Sequence, residues 1–208
     1  MIVTVAEDWQ PVVTDDAASP FRRRLLDGLT VSIGERGYRA TTVADIVRHA
    51  RTSKRTFYDE FSSKEECFVE LLAAGNREMI IKIRAAVDPG ADWRAQVRQA
   101  VNAWVSDIEE RPAIQLSWIR ELPALGHDVR ELQRRGMAAV TDMFIEMSNN
   151  PGFRRAGIAP ITRQMAVLLF GGFRELTALT VEDGADVRDI VETAVAASIA
   201  ILGAGRAD

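Results

Sequence analysis

Ser53, Lys54, Arg55 and Thr56 put two hydroxyls and two cations into four consecutive positions at the start of a short helical pattern. Side chains of these types, small and basic and carried at a helix start, suit the major groove of duplex DNA, where they reach base edges and phosphates. The chemistry they offer is recognition rather than bond making: hydrogen bonds to acceptors on bases, and charge set against a polyanion.

The surrounding residues must hold that helix in place. Upstream, Thr41 or Thr42 can cap a helix, because a threonine hydroxyl accepts from the free amides of the opening turn. Val43, Ile46 and Val47 then recur at helical spacing and give it one apolar side. The polar run Arg51-Thr52-Ser53 breaks the pattern, Ser53 can cap the next helix, and Phe57 and Phe61 return to the core. Two short helices joined by a tight turn read as a helix-turn-helix. An ordinary helical hairpin with a solvated charged face has the same spacing.

The stretch from about Phe21 to Leu72 resembles the N-terminal domain of the TetR family of bacterial transcriptional regulators. The matching residues are Gly37-Tyr38, Thr41-Thr42-Val43, Ile46, Ala50, Ser53, Thr56-Phe57-Tyr58, Phe61 and Lys64-Glu65, with the T-F-Y-x-x-F-x-x-K pattern from Thr56 to Lys64 the most specific. The resemblance implies that Ser53 to Tyr58 form the recognition helix. Arg55 is then the candidate for a base contact, since arginine grips guanine through two hydrogen bonds, and Thr56 for a thymine methyl or a phosphate. Thr42, Tyr58 and Lys64 match positions that hold the sugar–phosphate backbone, and Thr41, Thr52, Ser53 and Lys54 complete the expected DNA-binding set. Three residues depart from the family pattern. Arg51 stands where glycine is usual, so the turn is expected to adopt another geometry; Asp59 replaces a frequent histidine; Cys67 replaces a leucine.

The 208 residues carry a net charge of −4, unevenly spread: ten basic and seven acidic residues between Phe21 and Glu66 give a local +3, leaving −7 elsewhere. The positive excess coincides with the proposed reader, as a phosphate-binding footprint requires. A hydrophobic content of 47% is ample for a core. No apolar run approaches the ~20 residues of a membrane span, and the N-terminus lacks the marks of a secretory signal, so a cytoplasmic protein is expected. One cysteine excludes an internal disulfide and predicts a small buried thiol at Cys67. An enzyme is not expected. His49 and His127 are far apart, Glu109 and Glu110 point to different sides of a helix, and no G-x-S-x-G, glycine-rich phosphate loop or H-E-x-x-H occurs. No cluster has metal-ligand spacing, and no cofactor is expected.

Periodicity predicts an all-α protein of about nine helices, divided into a flexible arm at residues 1–19, a DNA-binding domain at 20–66 and a ligand-binding and dimerisation domain at 67–208. Phe21, Leu25, Leu29 and Ile33 step by four along a first helix that ends near Gly37. The arm is acidic, so Arg22, Arg23 and Arg24 are better placed than the arm to meet phosphates. A fourth helix opens at Ser62-Ser63-Lys64 and runs to about Val87, where Asp88-Pro89-Gly90 stops it. Further helices are marked by Trp93 to Ile108, Ile114 to Ile119 and Val129 to Met147. Residues 150–160 read as a loop, and two last helices run from about Ile161 to Val181 and from about Ala185 to Leu202.

By the same resemblance the middle helices enclose a ligand cavity and the last two form a homodimer surface. Trp104, Trp118, Met137, Met143, Phe144, Phe170 and Phe173 are the candidate ligand-binding residues, because aromatic and methionine side chains suit a hydrophobic or aromatic small molecule. Each of them serves a plain core equally well. Glu121, His127, Arg120 and Arg174 are candidates to orient a polar group on it, with nothing in the spacing to choose among them. Val187, Ile190, Val191, Ala194, Val195, Ser198, Ile199 and Leu202 make the final helix rich in small and β-branched residues, and Gly171-Gly172 permits close approach of another backbone; burial of both helices within one subunit is the alternative. The expected function is a homodimeric repressor that binds a palindromic operator in double-stranded DNA and is released by a small, largely hydrophobic effector. The alternative is a helical binding or scaffold protein of the same fold that does not read DNA.

Overall fold

Hydroxyl side chains start the first four helices. Ser19 accepts from the amide of Phe21 at 3.2 Å, and Pro20 fills the first turn of α1, Pro20–Ala40, where a proline loses no hydrogen bond. Thr42, rather than Thr41, caps α2, Val43–His49, in a reciprocal box: its hydroxyl accepts from the Asp45 amide at 3.3 Å and Asp45 accepts from the Thr42 amide at 3.0 Å. Ser53 caps α3, Lys54–Glu60, and Ser63 caps α4, Lys64–Ala86, each accepting at 3.1 Å from the amide three residues on. Each such cap contributes about 1 kcal/mol. The computed structural model describes residues 19–125 and 127–204, so the expected arm lies, Ser19 apart, outside the described residues.

After the Asp88-Pro89-Gly90 break come α5 (Trp93–Glu110), α6 (Pro112–Arg120), α7 (His127–Met147), α8 (Pro151–Arg155), α9 (Arg163–Glu182) and α10 (Val191–Gly203), with short 3-10 turns at Leu122–Ala124 and Val187–Ile190. Among the described residues there are ten α-helices and no strand, so the all-α expectation holds. The tenth is α8, inside the stretch expected to be a loop. Pro151 sits at its first turn and Phe153 is buried beneath it. The last helix also begins later than expected, after the 3-10 turn at Val187–Ile190. Among the described residues no helix is long and apolar enough to cross a membrane.

Two cores form. The first gathers Leu25, Leu29 and Ile33 of α1, Ile46 of α2, Phe57 of α3 and Phe68, Leu71 and Leu72 of α4, and is closed by Ile114 and Trp118 of α6. The second joins Met79 and Ile83 of α4 to α5, α7, α8, α9 and α10. The expected boundary between residues 66 and 67 therefore falls inside α4, and the first core continues past it to Leu72 while borrowing α6. At 23 residues α4 is about 34 Å long and belongs to both cores.

Candidate functional site

Phe57 and Phe61, each no more than 1% exposed, anchor α3 by its inner side. The outer side then presents Lys54, Arg55 and Tyr58 to solvent, and Tyr58 is 58% exposed with its ring edge-on to Phe57. The neighbouring arginines are occupied: Arg36 and Arg48 both pair with Asp45, at 3.3 and 3.0 Å. Among the described residues Lys54 and Arg55 have no carboxylate within ion-pair distance. Ser53 and Thr56 are bound to each other at 3.0 Å, so their hydroxyls first of all fix the helix start. Thr52 is half-buried in the turn, and its amide donates to Val47 O at 3.0 Å.

The turn does not take another geometry. Arg51 has φ 51°, the left-handed conformation that glycine would adopt freely. The amides of Arg51 and Thr52 bond back to Arg48 O and Val47 O, and these bonds hold the turn in place despite a steric cost of about 1–2 kcal/mol. Arg51 itself is exposed beside α3.

Two expected contacts are corrected. Thr41 is 1% exposed and its hydroxyl donates to Gly37 O at 2.8 Å, so its side chain faces the protein and not a groove. Arg22 is bound to both oxygens of Glu70 and to Glu60 O, and its guanidinium lies 4.0 Å over the Phe61 ring. It fastens α1 to α3 and α4, whereas Arg23 and Arg24 are exposed. Lys64 is similarly engaged: it donates to Tyr38 O at 3.1 Å and Thr41 O at 2.9 Å and stacks over the Tyr38 ring. Two of its three donors are thus spent on closing α1 against α4. Thr42 remains exposed at the start of α2.

Cys67 is fully buried, and burial pushes its thiol well above the usual range, which makes it inert rather than redox-active. Among the described residues no group of three or more histidines, cysteines and acids is placed to hold a metal ion.

A chamber lies in the second core and a smaller one where the two cores meet. The larger is lined by Val97, Trp104, Phe144, Met147, Leu169 and Phe173, with Gln96, Ser148 and Ser198 also on its wall. The smaller lies between α4, α6 and α9 and is lined by Gly75, Asn76, Trp104, Trp118, Phe170, Arg174 and Thr177 among others. Trp104 belongs to both and stands edge-on to Phe170 and Phe173 at 5.6 and 5.0 Å, so these rings form the partition. Free space amounts to about 60 Å³ in the larger and 30 Å³ in the smaller. Ligand sites of several hundred Å³ are usual, so an occupant has to spread these walls.

The expected ligand set is therefore divided. Trp104, Phe144 and Phe173 line the larger chamber and Trp104, Trp118 and Phe170 the smaller. Met143 lines neither, being packed at 0% exposure in the core, and Met137 meets only the edge of the site through its sulfur, 3.2 Å from Arg174. Of the four polar candidates, Arg120 is committed to Glu175 and Glu182 and Glu121 to Arg39, both beside a separate cleft between α1 and α6, while Arg174 reaches the smaller chamber; the side chain of His127 lies outside the described residues. Asn76 and Thr177 were not expected, for nothing in a single sequence marks a polar residue that lines a gap.

The final helix points the other way from expectation. Val187, Ile190, Ala194, Val195, Ser198 and Leu202 are buried within the subunit. What α9 and α10 leave outside is Val167, Leu168, Gly171, Gly172 and Leu179, beside Ala196, Ala197 and Ala200. Leu168 is 69% exposed.

A family model described as bacterial regulatory proteins, tetR family, matches residues 25–71. The chain is 37% identical over 101 residues to the transcriptional repressor KstR2 of Rhodococcus jostii, covering 48% of this chain and 50% of that one. It is 32% identical over 88 residues to the transcriptional activator FasR of Mycolicibacterium smegmatis, covering 42% of this chain and 40% of that one. The chain thus spans about half the length of the curated relatives it matches. In fold it is similar to the fatty acid degradation regulator FadR of Bacillus halodurans (TM-score 0.70, 18% identity, 88% of this chain and 95% of that one). It is also similar to FadR of Bacillus subtilis in complex with stearoyl-CoA (TM-score 0.68, 14% identity, 86% and 97% of the two chains). The segment that matches the tetR family of bacterial regulatory proteins thus spans α1 to α4, and the helices beyond it are arranged as in these solved structures.

Proposed function

We propose that the chain is a cytoplasmic transcriptional repressor that binds a palindromic operator as a homodimer and leaves it when a small, largely apolar effector enters the chambers. The observation that carries this reading is α3, whose Phe57 and Phe61 are locked in the core while Tyr58 stands outside with Lys54 and Arg55, which have no ion-pair partner among the described residues. Arg55 reads a base edge, Lys54 and Tyr58 hold phosphates, and Thr42 offers a further backbone contact across the turn. Lys64 acts by holding α1 against α4, and so by aiming the reader.

One reader covers a few base pairs; two, related by a two-fold axis, cover half-sites about 34–36 Å apart or a multiple of it. The exposed Val167, Leu168 and Leu179 with the glycines and alanines around them supply the self-complementary apolar face such a dimer needs. Release works by population shift. Because the chambers hold little free space, an occupant favours a state with α6 and α9 moved apart, and it lowers operator affinity by its preference for that state and no more. Helix α6 packs on both α9 and α1, so the displacement has a short route to the reader.

Selection of bound fragments from a random duplex library at two salt concentrations tests the reading. A palindrome whose binding falls with salt, at a log–log slope of about −0.9 per phosphate contact, is expected. Arg55→Ala is expected to relax base preference at one position by about 1–3 kcal/mol, and Lys54→Ala to weaken all sequences alike. Recovery of no motif at either salt would overturn the assignment.

A further inference from the structure

Arg174 and Thr177, one turn apart on the same side of α9, carry buried polar atoms that have no partner among the described residues. Arg174 Nε is buried and unbonded, and one of its terminal nitrogens rests on the sulfur of Met137 at 3.2 Å. A thioether is a weak acceptor. No carboxylate among the described residues forms an ion pair with Arg174, because its neighbour Glu175 is held by Arg120 at 2.9 and 3.0 Å. Thr177 is 1% exposed and its hydroxyl has no partner among the described residues. Elsewhere in this protein helical hydroxyls bond back to the carbonyl four residues earlier, as Thr30, Thr180 and Ser198 do at 2.7–3.0 Å. Thr177 does not, and its oxygen is left to the smaller chamber, which Arg174 and Asn76 also line.

A guanidinium whose Nε–H is buried without an acceptor is costly, since the group cannot shed its proton. Burial pulls Arg174 below its ordinary value, Glu175 opposes that, and Arg120 adds to it. The group that answers the vacant Nε–H edge is a planar anion with two oxygens, which a guanidinium binds through parallel hydrogen bonds. A hydroxyl one turn away can donate to the same anion. Beyond it the lining is mostly apolar, through the Trp104 partition into the larger chamber, where Gln96, Ser148 and Ser198 add polar atoms. On the α4 side Gly75 keeps the wall open, as a Cβ there would meet nothing within 4 Å.

Resting on the reading of the chambers as the effector site, we propose that Arg174 and Thr177 form its anion-binding end, and that the effector is an amphipathic carboxylic acid whose carboxylate is held there while its apolar body passes Trp104 into the larger chamber.

The test uses the full chain with sodium dodecanoate, dodecan-1-ol and dodecyl phosphate as probes, followed by the fluorescence of Trp104 and Trp118 in the chamber walls and by calorimetry. Dodecanoate is expected to bind about ten- to hundredfold more tightly than the alcohol, as a hydrogen-bonded charge pair provides. Arg174→Met should abolish that preference while leaving the alcohol's affinity in place, and Thr177→Val, which keeps the volume, should reduce it severalfold. Equal binding of acid and alcohol, an acid preference that survives in both variants, or no binding of any probe would overturn the proposal. Tighter binding of the phosphate than of the carboxylate would overturn the assignment of a carboxylic acid. Operator binding without probe, measured alongside, separates the two readings: it fails if the regulator assignment is wrong and is retained by both variants if only the anion site is wrong.

Discussion

Gly28 is the tightest point between the first two helices, and replacing it by alanine places a methyl carbon 2.6 Å from Ile46 O, 3.0 Å from Ala50 N and 3.2 Å from Ala50 Cβ. Those first two atoms are the ends of the last hydrogen bond of α2, which spans 2.8 Å. The obstacle is backbone rather than a movable side chain, so α2 must retreat by roughly 0.8 Å to restore ordinary contact near 3.4 Å. Alanine gains about 1 kcal/mol over glycine in a helix interior, and overpacking costs about 1–3 kcal/mol. Gly34, on the same helix, is exposed and has nothing within 4 Å of such a methyl, so Gly34→Ala takes the propensity gain alone. The two variants should therefore differ by about 1–3 kcal/mol, which at 2–4 °C per kcal/mol for a chain of this size is roughly 2–12 °C in Tm. Paired thermal melts measure the difference directly, and operator titration reads the second effect. A recognition helix shifted with α2 should lose the alignment of a base contact, about five- to hundredfold in affinity for a contact of 1–3 kcal/mol. If Gly28→Ala melts at or above Gly34→Ala, the close approach does not limit the packing and the reasoning fails.

Three further outcomes are expected. Arg51→Gly should raise Tm by about 1–4 °C, because relief of the left-handed strain exceeds the extra entropy lost by glycine; a lower Tm would mean that the Arg51 side chain has contacts that stabilise the turn. The hydrogen bonds from the Thr42 hydroxyl and amide, with Arg36 and Arg48 nearby, hold the Asp45 carboxyl down at about 2, so its contribution is present above the unfolded pKa near 4 and fades as pH falls toward 2. Asp45→Asn should thus be less stable than the parent at pH 6, with the gap closing between pH 4 and 2 in denaturant titrations, and a gap that ignores pH would refute the pairing. Lys82 donates to Asp107 at 3.0 Å and Glu110 at 2.6 Å, and the Asp107 side chain is 2% exposed. Lys82→Met leaves that carboxylate, among the described residues, with a hydrogen bond from the Gln115 amide and the more distant charge of Arg111, which should cost about 3 kcal/mol, measured by the same titrations; a loss under about 1 kcal/mol would show that water or Arg111 compensates the charge.

Helix starts and stops were legible because each is a local event. A serine or threonine at 42, 53 or 63 caps whatever follows it, and Asp88-Pro89-Gly90 ends whatever precedes it. Helix α8 escaped notice because five residues are too few to show a period, and Asn149-Asn150-Pro151-Gly152 reads as a breaker even though proline is at home in a first turn. A hydroxyl or a cation declares its chemistry but not its direction. Thr41 and Arg22 have the composition of DNA contacts and spend it inside the protein. The same limit applies to the sensor, where Met143 and Phe173 are alike in sequence and only the gap between distant helices separates core from chamber wall. In α10 the apolar stripe was visible, but a stripe cannot say whether its partner is the same subunit or another, and it turned out to be the same one.

Helix α4 has one end in each core, Phe68 to Leu72 in the first and Met79 to Ile83 in the second, and this makes it a shaft whose phase matters as much as its length. Each residue added between Leu72 and Met79 would turn the reader by about 100° relative to the sensor and push it about 1.5 Å further out. On the proposed reading, one extra residue would carry α3 off its groove altogether. Seven would bring the phase back to within about 20°, some 10.5 Å displaced. Any graft of this reader onto another sensor, by evolution or by design, is thus constrained to splice within that short interval and to keep the count of residues unchanged across it.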